Sequence, residues 1–259
     1  MQDTEKVPIL RITEHEHIET EDSVVSEFLF TIVLNGQELV TLVCSPSQIK
    51  ELTVGFLASE GLLTNKGSLK KITVDERRGI VRVELEGVGI LEEGVLFKRL
   101  ITSGCGRGTS FYNAGDAQGF EKVESPVTIS SDEIFSLMKE FLHRSEIHNA
   151  TGGVHSAALS DTKEILFFSE DIGRHNAIDK VLGASILNDN PTDRRILITT
   201  GRIPSEVLFK VVKRNIPIIL SKAAPTISGV RLAHESGITL VGFVRGKRMN
   251  VYANSWRIT

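Results

Sequence analysis

The sequence has few cysteines, no excess of basic residues and no long apolar run, and each shortage excludes a class of protein. Only two of its 259 residues are cysteines, Cys44 and Cys105, too few for the disulfide framework of a small secreted domain. The formal net charge of −3 and the isoelectric point near 6.2 predict neither a nucleic acid nor a membrane surface as partner. Any anion-binding site must therefore be local.

Membrane-spanning and secretory patterns are absent as well. No apolar run approaches the roughly 20 residues that cross a bilayer, and the opening MQDTEKVPIL lacks the basic and apolar regions of a signal peptide. With 41% apolar residues, the chain can bury a core for one large or two modest domains. The sequence therefore predicts a cytoplasmic protein with reduced cysteines.

Common nucleotide and metal motifs are also missing. There is no phosphate-binding loop ending in Gly-Lys-Ser/Thr and no Gly-x-Gly-x-x-Gly fingerprint at a strand-to-helix junction. A zinc deaminase needs two cysteines near a His or Cys, whereas residues 125–259 contain no cysteine. A bound nucleotide must be held in another way, and we predict no metal bound directly by the protein.

Residues 1–105 are predicted to form a strand-rich N-terminal subdomain with one helix. The segment EFLFTIVLNGQELVTLVC has two apolar runs around an Asn-Gly pair, which suits a tight hairpin turn. Alternating apolar residues in LKKITVDERRGIVRVEL predict a second hairpin. Between them, Ser45, Pro46 and Gln48 have the spacing of a helix cap followed by an apolar stripe.

Residues 106–125 are predicted to be a glycine-rich, polar linker, and residues 126–259 to be an α/β cofactor-binding domain. Ser130 and Glu133 can form a capping box. Short apolar strands such as EILFFSE, RRILITT, IPIILS and ITLVGFV then alternate with helices. That alternation is typical of a partly parallel sheet covered on both faces. The predicted fold class is α/β, or α+β overall, with ligands expected beyond the carboxyl ends of the strands.

Three loops of this half concentrate polar residues. NATGGVHSA precedes a strand, whereas SEDIGRHNAIDK and TTGRIPSE join strands to helices. Free amides at a helix start favour an anion, and glycine allows close backbone approach. The candidate binding residues are Thr151, His155, Arg174, His175, Gly201 and Ser205. The two histidines could equally be structural.

The segment FVRGKRMN supplies three cations, Arg245, Lys247 and Arg248, around one glycine. Guanidinium and ammonium groups suit a phosphate-bearing ligand. The same residues could form a solvated turn between the last two strands, and composition does not decide between these readings.

The two cysteines have different surroundings. Cys44 ends an apolar strand, which predicts burial. Cys105 lies in LITSGCGRGTS, where three glycines argue against a buried strand and favour an accessible loop. Its thiol could be inert or reactive, and Arg107 could favour the nucleophilic thiolate.

Six segments of the chain occur in an order that matches a known family. They are CSPSQIKELTVGFLASEGLL, TSGCGRG, TGGVHSAAL, SEDIGRHNAIDKVLG, TTGRIPSE and ITLVGFVRGKRMNVY. Ordered motifs are far more specific than any single one. Over roughly residues 25–255, the chain resembles the FdhD family of formate dehydrogenase accessory proteins, which are sulfur carriers.

The resemblance implies a reaction and its residues. Such proteins accept persulfide sulfur from a cysteine desulfurase and deliver it to the molybdenum cofactor, bis(molybdopterin guanine dinucleotide), of formate dehydrogenase. Cys105 would be the persulfide cysteine of this sulfurtransferase-type carrier. The segment that matches the cofactor contacts comprises Phe243, Val244, Arg245, Gly246, Lys247 and Arg248. GDP would mimic the cofactor.

The resemblance also implies an assembly and a fold. Family members are homodimers, and their partners are a cysteine desulfurase and the catalytic subunit of formate dehydrogenase. The C-terminal half of the family resembles a cytidine-deaminase-like fold without its zinc site.

One position departs from the family pattern. Well-known members carry Cys-Gly-x-Cys-Gly, whereas Gly108 stands here at the second cysteine position. A dithiol switch or a Cys-x-x-Cys metal site is therefore impossible in this loop. A persulfide relay needs only Cys105. We expect the loop to swing between the two partners, with His155 and His175 as candidates for proton transfer near the sulfur.

Two other classes of function compete with a sulfur carrier. A cofactor-binding chaperone would insert the molybdenum cofactor without moving sulfur, and would need no persulfide on Cys105. A nucleotide hydrolase on the α/β half would turn over GTP, whereas a carrier would bind a guanine nucleotide without hydrolysing it.

Overall fold

The strands form three sheets in the computed structural model, which describes residues 2–87, 100–101 and 122–259. One sheet is a two-stranded ribbon, one has five strands and one has six. The five-stranded sheet lies in the N-terminal half and the six-stranded sheet in the C-terminal half. The chain is therefore a mixed α/β protein, in agreement with the predicted class.

The ribbon consists of β1 (Thr4–Ile12) and β2 (His17–Val25), paired antiparallel. It is fastened at its base, where the Ser26 amide donates to the Asp3 carbonyl at 2.9 Å. Most of its side chains are exposed. The sequence patterns predict only a general richness in strands here.

The five-stranded sheet contains both predicted hairpins. Its strands are β3 (Phe28–Leu34), β4 (Gln37–Cys44), β5 (Leu69–Asp75), β6 (Ile80–Leu85) and β7 (Leu100–Ile101), in the order β5-β6-β3-β4-β7. Asn35 and Gly36 turn between β3 and β4 with φ of 47° and 86°, the positive angles that a two-residue hairpin requires. Both predicted hairpins are confirmed.

Helix α1 (Ile49–Ser59) packs its apolar residues on this sheet, but its predicted cap is wrong. The helix begins at Ile49, preceded by Gln48 in the left-handed region at φ 56° and without a side-chain cap. Ser45 instead bonds to the other half of the chain: its amide donates to Asp171 and its hydroxyl accepts from the Ile172 amide. This tertiary demand on Ser45 overrides the local capping pattern.

The six-stranded sheet is partly parallel, as predicted. Its strands are β8 (His155–Ser160), β9 (Ile165–Asp171), β10 (Ile196–Thr199), β11 (Ile218–Ser221), β12 (Thr239–Arg245) and β13 (Arg248–Ala253). In the order β13-β12-β11-β10-β8-β9, only β10, β11 and β12 run parallel. The carboxyl ends of these three strands therefore share one edge of the sheet with the start of β8.

Helices cover both faces of this sheet. The helices of this half are α2 (Ser131–His143), α3 (Glu146–Thr151), α4 (Arg174–Leu187), α5 (Ser205–Lys213) and α6 (Ile227–Ser236), of which all but α3 contribute to the apolar clusters on the sheet. One apolar cluster joins the sheet to α4, α5 and α6, and another joins its opposite face to α2. The capping box of α2 is confirmed: the Ser130 amide donates to the Glu133 carboxylate at 2.8 Å, and the Glu133 amide donates to the Ser130 hydroxyl.

The two halves meet where α1 crosses α4. A Cβ atom at Gly55 would lie 1.8 Å from the Asp179 carbonyl oxygen, and one at Gly183 would lie 1.9 Å from the Glu51 carbonyl oxygen. Only glycine permits this backbone approach.

Two buried ion pairs also contribute to the contact between the two halves of the chain. Lys180 Nζ lies 2.7 Å from Asp171 Oδ2, with both side chains fully buried, and Lys180 also donates to the Ser45 carbonyl. Asp179 accepts from Lys210 Nζ at 2.5 Å and from the Ser59 hydroxyl at 2.6 Å. Charges of the C-terminal half are thus satisfied partly by groups of the N-terminal half.

Cys44 ends β4 in the core, as predicted. Its side chain is fully buried, and its thiol donates to the Phe28 carbonyl oxygen. Burial, reinforced by the nearby Asp171 carboxylate, raises the pKa of the thiol to about 12, so that it remains protonated and unreactive at neutral pH.

In the part of the chain that the structure describes, no helix combines the length and the apolar character needed to cross a membrane.

Candidate anion-binding site

A cavity of about 330 Å³ opens at the edge where β10, β11 and β12 end and β8 begins. Its volume lies at the lower end of the ~300–1,000 Å³ range of ligand sites. It is lined by His148, Gly152, Gly153, Val154, His155, Ile172, Thr200, Lys222, Ala223 and Arg245. Two predicted residues, His155 and Arg245, line this cavity together although 90 positions separate them in the chain.

The turn between α3 and β8 forms one wall. Gly152 ends α3 in the left-handed region at φ 66°. The Thr151 hydroxyl donates to the Ile147 carbonyl at 2.7 Å and accepts from the Gly153 amide at 3.1 Å. Thr151 therefore shapes the turn and is not one of the lining residues.

His155 lies at the start of β8, half-buried. Its Nδ1 is 3.4 Å from the Thr200 hydroxyl oxygen. Burial, and then the positive charge of Arg174, lower the pKa of His155, so its ring is neutral at pH 7.

His148 is a second imidazole in the cavity that the sequence motifs did not point to. Its Nδ1 lies 2.9 Å from the Val154 carbonyl oxygen. The residue lies on α3, one position before the quoted motif NATGGVHSA, and only the fold brings it next to the cavity.

Lys222 and Arg245 supply positive charge from the ends of β11 and β12. Arg245 Nε donates to the Lys222 carbonyl at 3.3 Å, and its guanidinium lies 5.5 Å from the centroid of the Phe243 ring, within cation–π range. Phe243 has a positive φ of 52°, and its amide donates to the Ala223 carbonyl. Lys222 was not predicted because the sequence signals no more there than a charge after a strand.

The rest of the predicted cofactor segment divides between core and turn. Val244 is buried in the core. Gly246 makes the turn with φ 57°, and Lys247 and Arg248 are exposed on it. Of the three predicted cations, only Arg245 lines the cavity.

The remaining candidates lie at the starts of α4 and α5. Arg174 packs against Gly201, where an added Cβ would come within 3.0 Å of the Arg174 Cβ. Within the described residues, the buried Nε of Arg174 has no hydrogen-bond partner. Ser205 is the first residue of α5 and makes no side-chain cap.

His175 forms a pair with Glu206 across these helix starts, with Nε2 and Oε2 3.3 Å apart. Burial lowers the pKa of His175, although the hydrogen bond to Glu206 opposes the shift. The same hydrogen bond lowers the pKa of Glu206. His175 is therefore a largely buried neutral ring rather than a group that lines the cavity.

The carboxylates near the cavity are already engaged. Glu170 accepts from the backbone amides of Ile147 and His148, Asp171 pairs with Lys180, and Glu206 pairs with His175. Within the described ranges, no ion pair joins a carboxylate to Arg174, Lys222 or Arg245. The described lining contains Lys222 and Arg245 but no carboxylate, a composition that suits a phosphate or pyrophosphate.

Cys105, the predicted persulfide cysteine, lies outside the described residues. Among residues 2–87 and 122–259, no group of three or more His, Cys, Asp or Glu side chains is arranged to hold a metal ion.

The layered sheet and the cationic cavity at its strand ends define an α/β protein with a candidate anion-binding site. Comparison with known proteins makes the assignment specific. The model of the FdhD/NarQ family matches residues 25–259. The chain belongs to the FdhD/NarQ family.

Individual relatives cover nearly the whole chain. It is 43% identical to the sulfur carrier protein FdhD of Bacillus pumilus, over 92% of this chain and 91% of that protein. It is 42% identical to the protein of the same name from Bacillus subtilis, over 96% and 95%. A crystal structure from Desulfotalea psychrophila, described as that of a formate dehydrogenase accessory protein, covers 100% of both chains at 26% identity with a TM-score of 0.83.

Proposed function

We propose that this chain is a sulfur carrier that accepts persulfide sulfur on Cys105 and transfers it to the bis(molybdopterin guanine dinucleotide) molybdenum cofactor of formate dehydrogenase. The names of the relatives support a role in sulfur transfer, and the crystal structure from Desulfotalea psychrophila supports the link to formate dehydrogenase. The partners would be a cysteine desulfurase and the catalytic subunit of formate dehydrogenase, and the carrier would be a cytoplasmic homodimer.

The chemistry requires one thiolate. Cys105 attacks the terminal sulfur of the persulfide on the desulfurase, the sulfur–sulfur bond there breaks, and the desulfurase cysteine leaves as a thiolate. The acceptor then supplies an electron pair to the terminal sulfur on Cys105, which returns to a thiolate. No second cysteine takes part, so Gly108 is compatible with the reaction.

The observation that carries the proposal is the cationic cavity lined by His155, Lys222 and Arg245. The cofactor is the substrate in this reaction, and its pyrophosphates and guanines are the groups that such a cavity can hold. Charge-assisted hydrogen bonds to pyrophosphate would come from Arg245. Arg174, whose charge acts on His155, has a buried Nε without a hydrogen-bond partner among the described residues and would be a further donor.

Other predicted residues would have supporting roles. Lys247 and Arg248 would reach the outer part of a cofactor much larger than the cavity. The backbone amide of Ser205 would add a donor at the start of α5, whereas the Gly201 amide already donates to the Thr199 hydroxyl. The resemblance of the C-terminal half to a cytidine-deaminase-like fold without zinc remains a prediction. The proposal includes no metal bound directly by the protein.

Mass spectrometry tests the sulfur step. After incubation with a cysteine desulfurase and cysteine, we expect one added sulfur atom on the peptide that contains Cys105. The Cys105→Ser variant should gain none, and Cys44→Ser should behave like the wild type because Cys44 is buried and protonated. An unmodified Cys105 in the wild type would favour the cofactor-binding chaperone instead.

Hydrogen exchange tests the cofactor step independently of sulfur. GDP should protect backbone amides of residues 243–248 and of the turn at Gly152 and Gly153. It should not be hydrolysed, and neither should GTP. Turnover of GTP, or protection elsewhere alone, would contradict this assignment of the cavity.

A further inference from the structure

The two histidines of the cavity have different hydrogen-bond partners at Nδ1. The partner of His148 is the Val154 carbonyl oxygen at 2.9 Å. A carbonyl can only accept, so His148 carries a proton on Nδ1. The partner of His155 is the Thr200 hydroxyl at 3.4 Å, which can either donate or accept.

The Thr200 hydroxyl is held in place from the other side. Its oxygen accepts a hydrogen bond from the Ser156 amide at 3.0 Å, and the Thr200 amide donates to the Ser156 carbonyl at 3.0 Å. The proton of the Thr200 hydroxyl is not used in either of these bonds, and Nδ1 of the neutral His155 ring is the nearby acceptor for it. When the hydroxyl donates to the Nδ1 lone pair, the ring proton of His155 is on Nε2.

A hydroxyl suits a ring that changes its charge. It donates to Nδ1 when the imidazole is neutral, and it accepts from Nδ1–H when the imidazole is protonated. The exchange needs only a rotation of the hydroxyl proton, so no heavy atom has to move. A carbonyl at the same place, as beside His148, would permit only the protonated Nδ1.

Cations dominate the surroundings of His155, and the nearby carboxylates have other partners. The positive or titratable groups around it come from five elements and loops: His148, Arg174, His175, Arg202, Lys222 and Arg245. The acidic groups nearest along the sheet are Glu170 and Asp171 on β9, bound to backbone amides and to Lys180 respectively, and Glu206 is paired with His175. Charge and burial together keep the pKa of His155 below its ordinary value.

We propose that Thr200 holds His155 as the Nε2–H tautomer, a hydrogen-bond donor to a pyrophosphate in the cavity, and that binding of this anion adds a proton to Nδ1. This inference rests on the proposed function, since it takes the cofactor's pyrophosphate as the ligand. His155 is thereby a binding residue and Thr200 its positioning residue. Burial and then the charge of the surrounding cations oppose protonation of His155 in the free protein, and the bound anion offsets the second of these two effects.

Proton uptake by His155 determines how the affinity for the anion changes with pH. Because the bound state holds His155 protonated to a higher pH than the free state does, binding takes up a proton between the two pKa values. Affinity therefore falls as the pH rises through that window, by up to about tenfold per pH unit when one proton is taken up. Above the higher pKa the affinity becomes constant.

Nuclear magnetic resonance of nitrogen-labelled histidine tests the tautomers directly. We expect the Nε2–H form for His155 and the Nδ1–H form for His148 in the free protein at pH 7.5. Thr200→Val should make His155 a mixture of tautomers, and Thr200→Ser, which keeps the hydroxyl, should restore Nε2–H. An Nδ1–H or doubly protonated His155 in the wild type at this pH would overturn the assignment.

Calorimetry tests the proton uptake. The probe is diguanosine pyrophosphate, in which one pyrophosphate joins two guanosines, because it has no terminal phosphate that titrates between pH 5.5 and 8. Titrations in buffers of different ionisation enthalpy should give a net uptake that approaches one proton between the pKa of free His155 and that of the bound state, and that vanishes above and below this window. His155→Gln should bind with little pH dependence, whereas His143→Gln, on the exposed end of α2, should match the wild type.

The calorimetric outcomes distinguish a failure of the proton linkage from a failure of the nucleotide site. Binding with no proton uptake, or with the same uptake in His155→Gln, would overturn the linkage and leave the nucleotide site standing. No binding at any pH would contradict the nucleotide site and the linkage together, while the tautomer measurement would still decide the role of Thr200.

Discussion

Two groups of charged side chains in the C-terminal half differ in how their charges are paired. In one group, Asp171 with Lys180 and Asp179 with Lys210 form closed, buried pairs. In the other group, Lys222 and Arg245 line the cavity without an ion-pair partner among the described residues. The first group holds two halves of the chain together, and the second leaves positive charge available to a ligand.

The largest effect is expected from breaking a closed pair. Lys180→Met would leave the Asp171 carboxylate buried without its cation, which costs about 3–5 kcal/mol. Urea denaturation should show this loss in the free energy of unfolding.

A surface pair provides the matched control for Lys180→Met. Lys66 and Asp189 lie 2.5 Å apart but are well exposed, so Lys66→Met should cost less than about 1 kcal/mol. Equal losses in the two variants would mean that burial does not distinguish the pairs.

Removing a cation from the cavity should weaken ligand binding and leave the free energy of unfolding almost unchanged. Arg245→Ala should weaken GDP binding by roughly tenfold or more, since a hydrogen bond to a charged group contributes about 1.5–3 kcal/mol. Its free energy of unfolding should stay within about 0.5 kcal/mol of the wild type. Isothermal titration calorimetry measures the first quantity and urea denaturation the second.

Arg231, exposed on α6, is the control for this loss of charge. Arg231→Ala should leave GDP affinity unchanged. If it weakened binding as much as Arg245→Ala, overall charge rather than the cavity would account for the effect.

Mild acid should destabilise the protein through His175. Its folded pKa is lowered, so the unfolded chain binds more protons between that pKa and about 6.5, and the free energy of unfolding falls as the pH drops through this window. His175→Gln should reduce the fall between pH 7.5 and 5.5 in urea titrations. The control His143→Gln should retain the full slope, and an unchanged slope in His175→Gln would assign the acid sensitivity to other groups.

The smallest effect is expected from removing the exposed charge of Lys247 in the predicted cofactor segment. Lys247 is exposed on the turn, where salt screens its charge. Lys247→Ala should weaken GDP binding by less than about threefold, and this difference should vanish at 0.5 M salt. A loss equal to that of Arg245→Ala would place the ligand over the turn rather than in the cavity.

Local signals predicted local structure well. The Asn35-Gly36 turn and the capping box of Ser130 and Glu133 are both confirmed, because each depends on neighbours within a few residues. The cap assigned to Ser45 fails for the opposite reason, since the partners of Ser45 lie more than 120 positions away.

The candidate site shows the same limit. His155 and Arg245 belong to motifs that can be read from the sequence, whereas His148 and Lys222 come to the cavity only through the strand order. Conversely, Thr151 and His175 stand in conspicuous motifs, yet one shapes a turn and the other is bound to Glu206. Sequence position alone does not tell these uses of a polar residue apart.

The glycines at the crossing of α1 and α4 also limit how this protein can be recombined. Each helix there accepts the other's backbone at a position without a side chain. A chimera that takes its N-terminal half from one relative and its C-terminal half from another would need the first parent to supply the glycine at position 55 and the second to supply the glycine at position 183. The crossing of α1 and α4 therefore constrains the sequences of both halves of the chain at once.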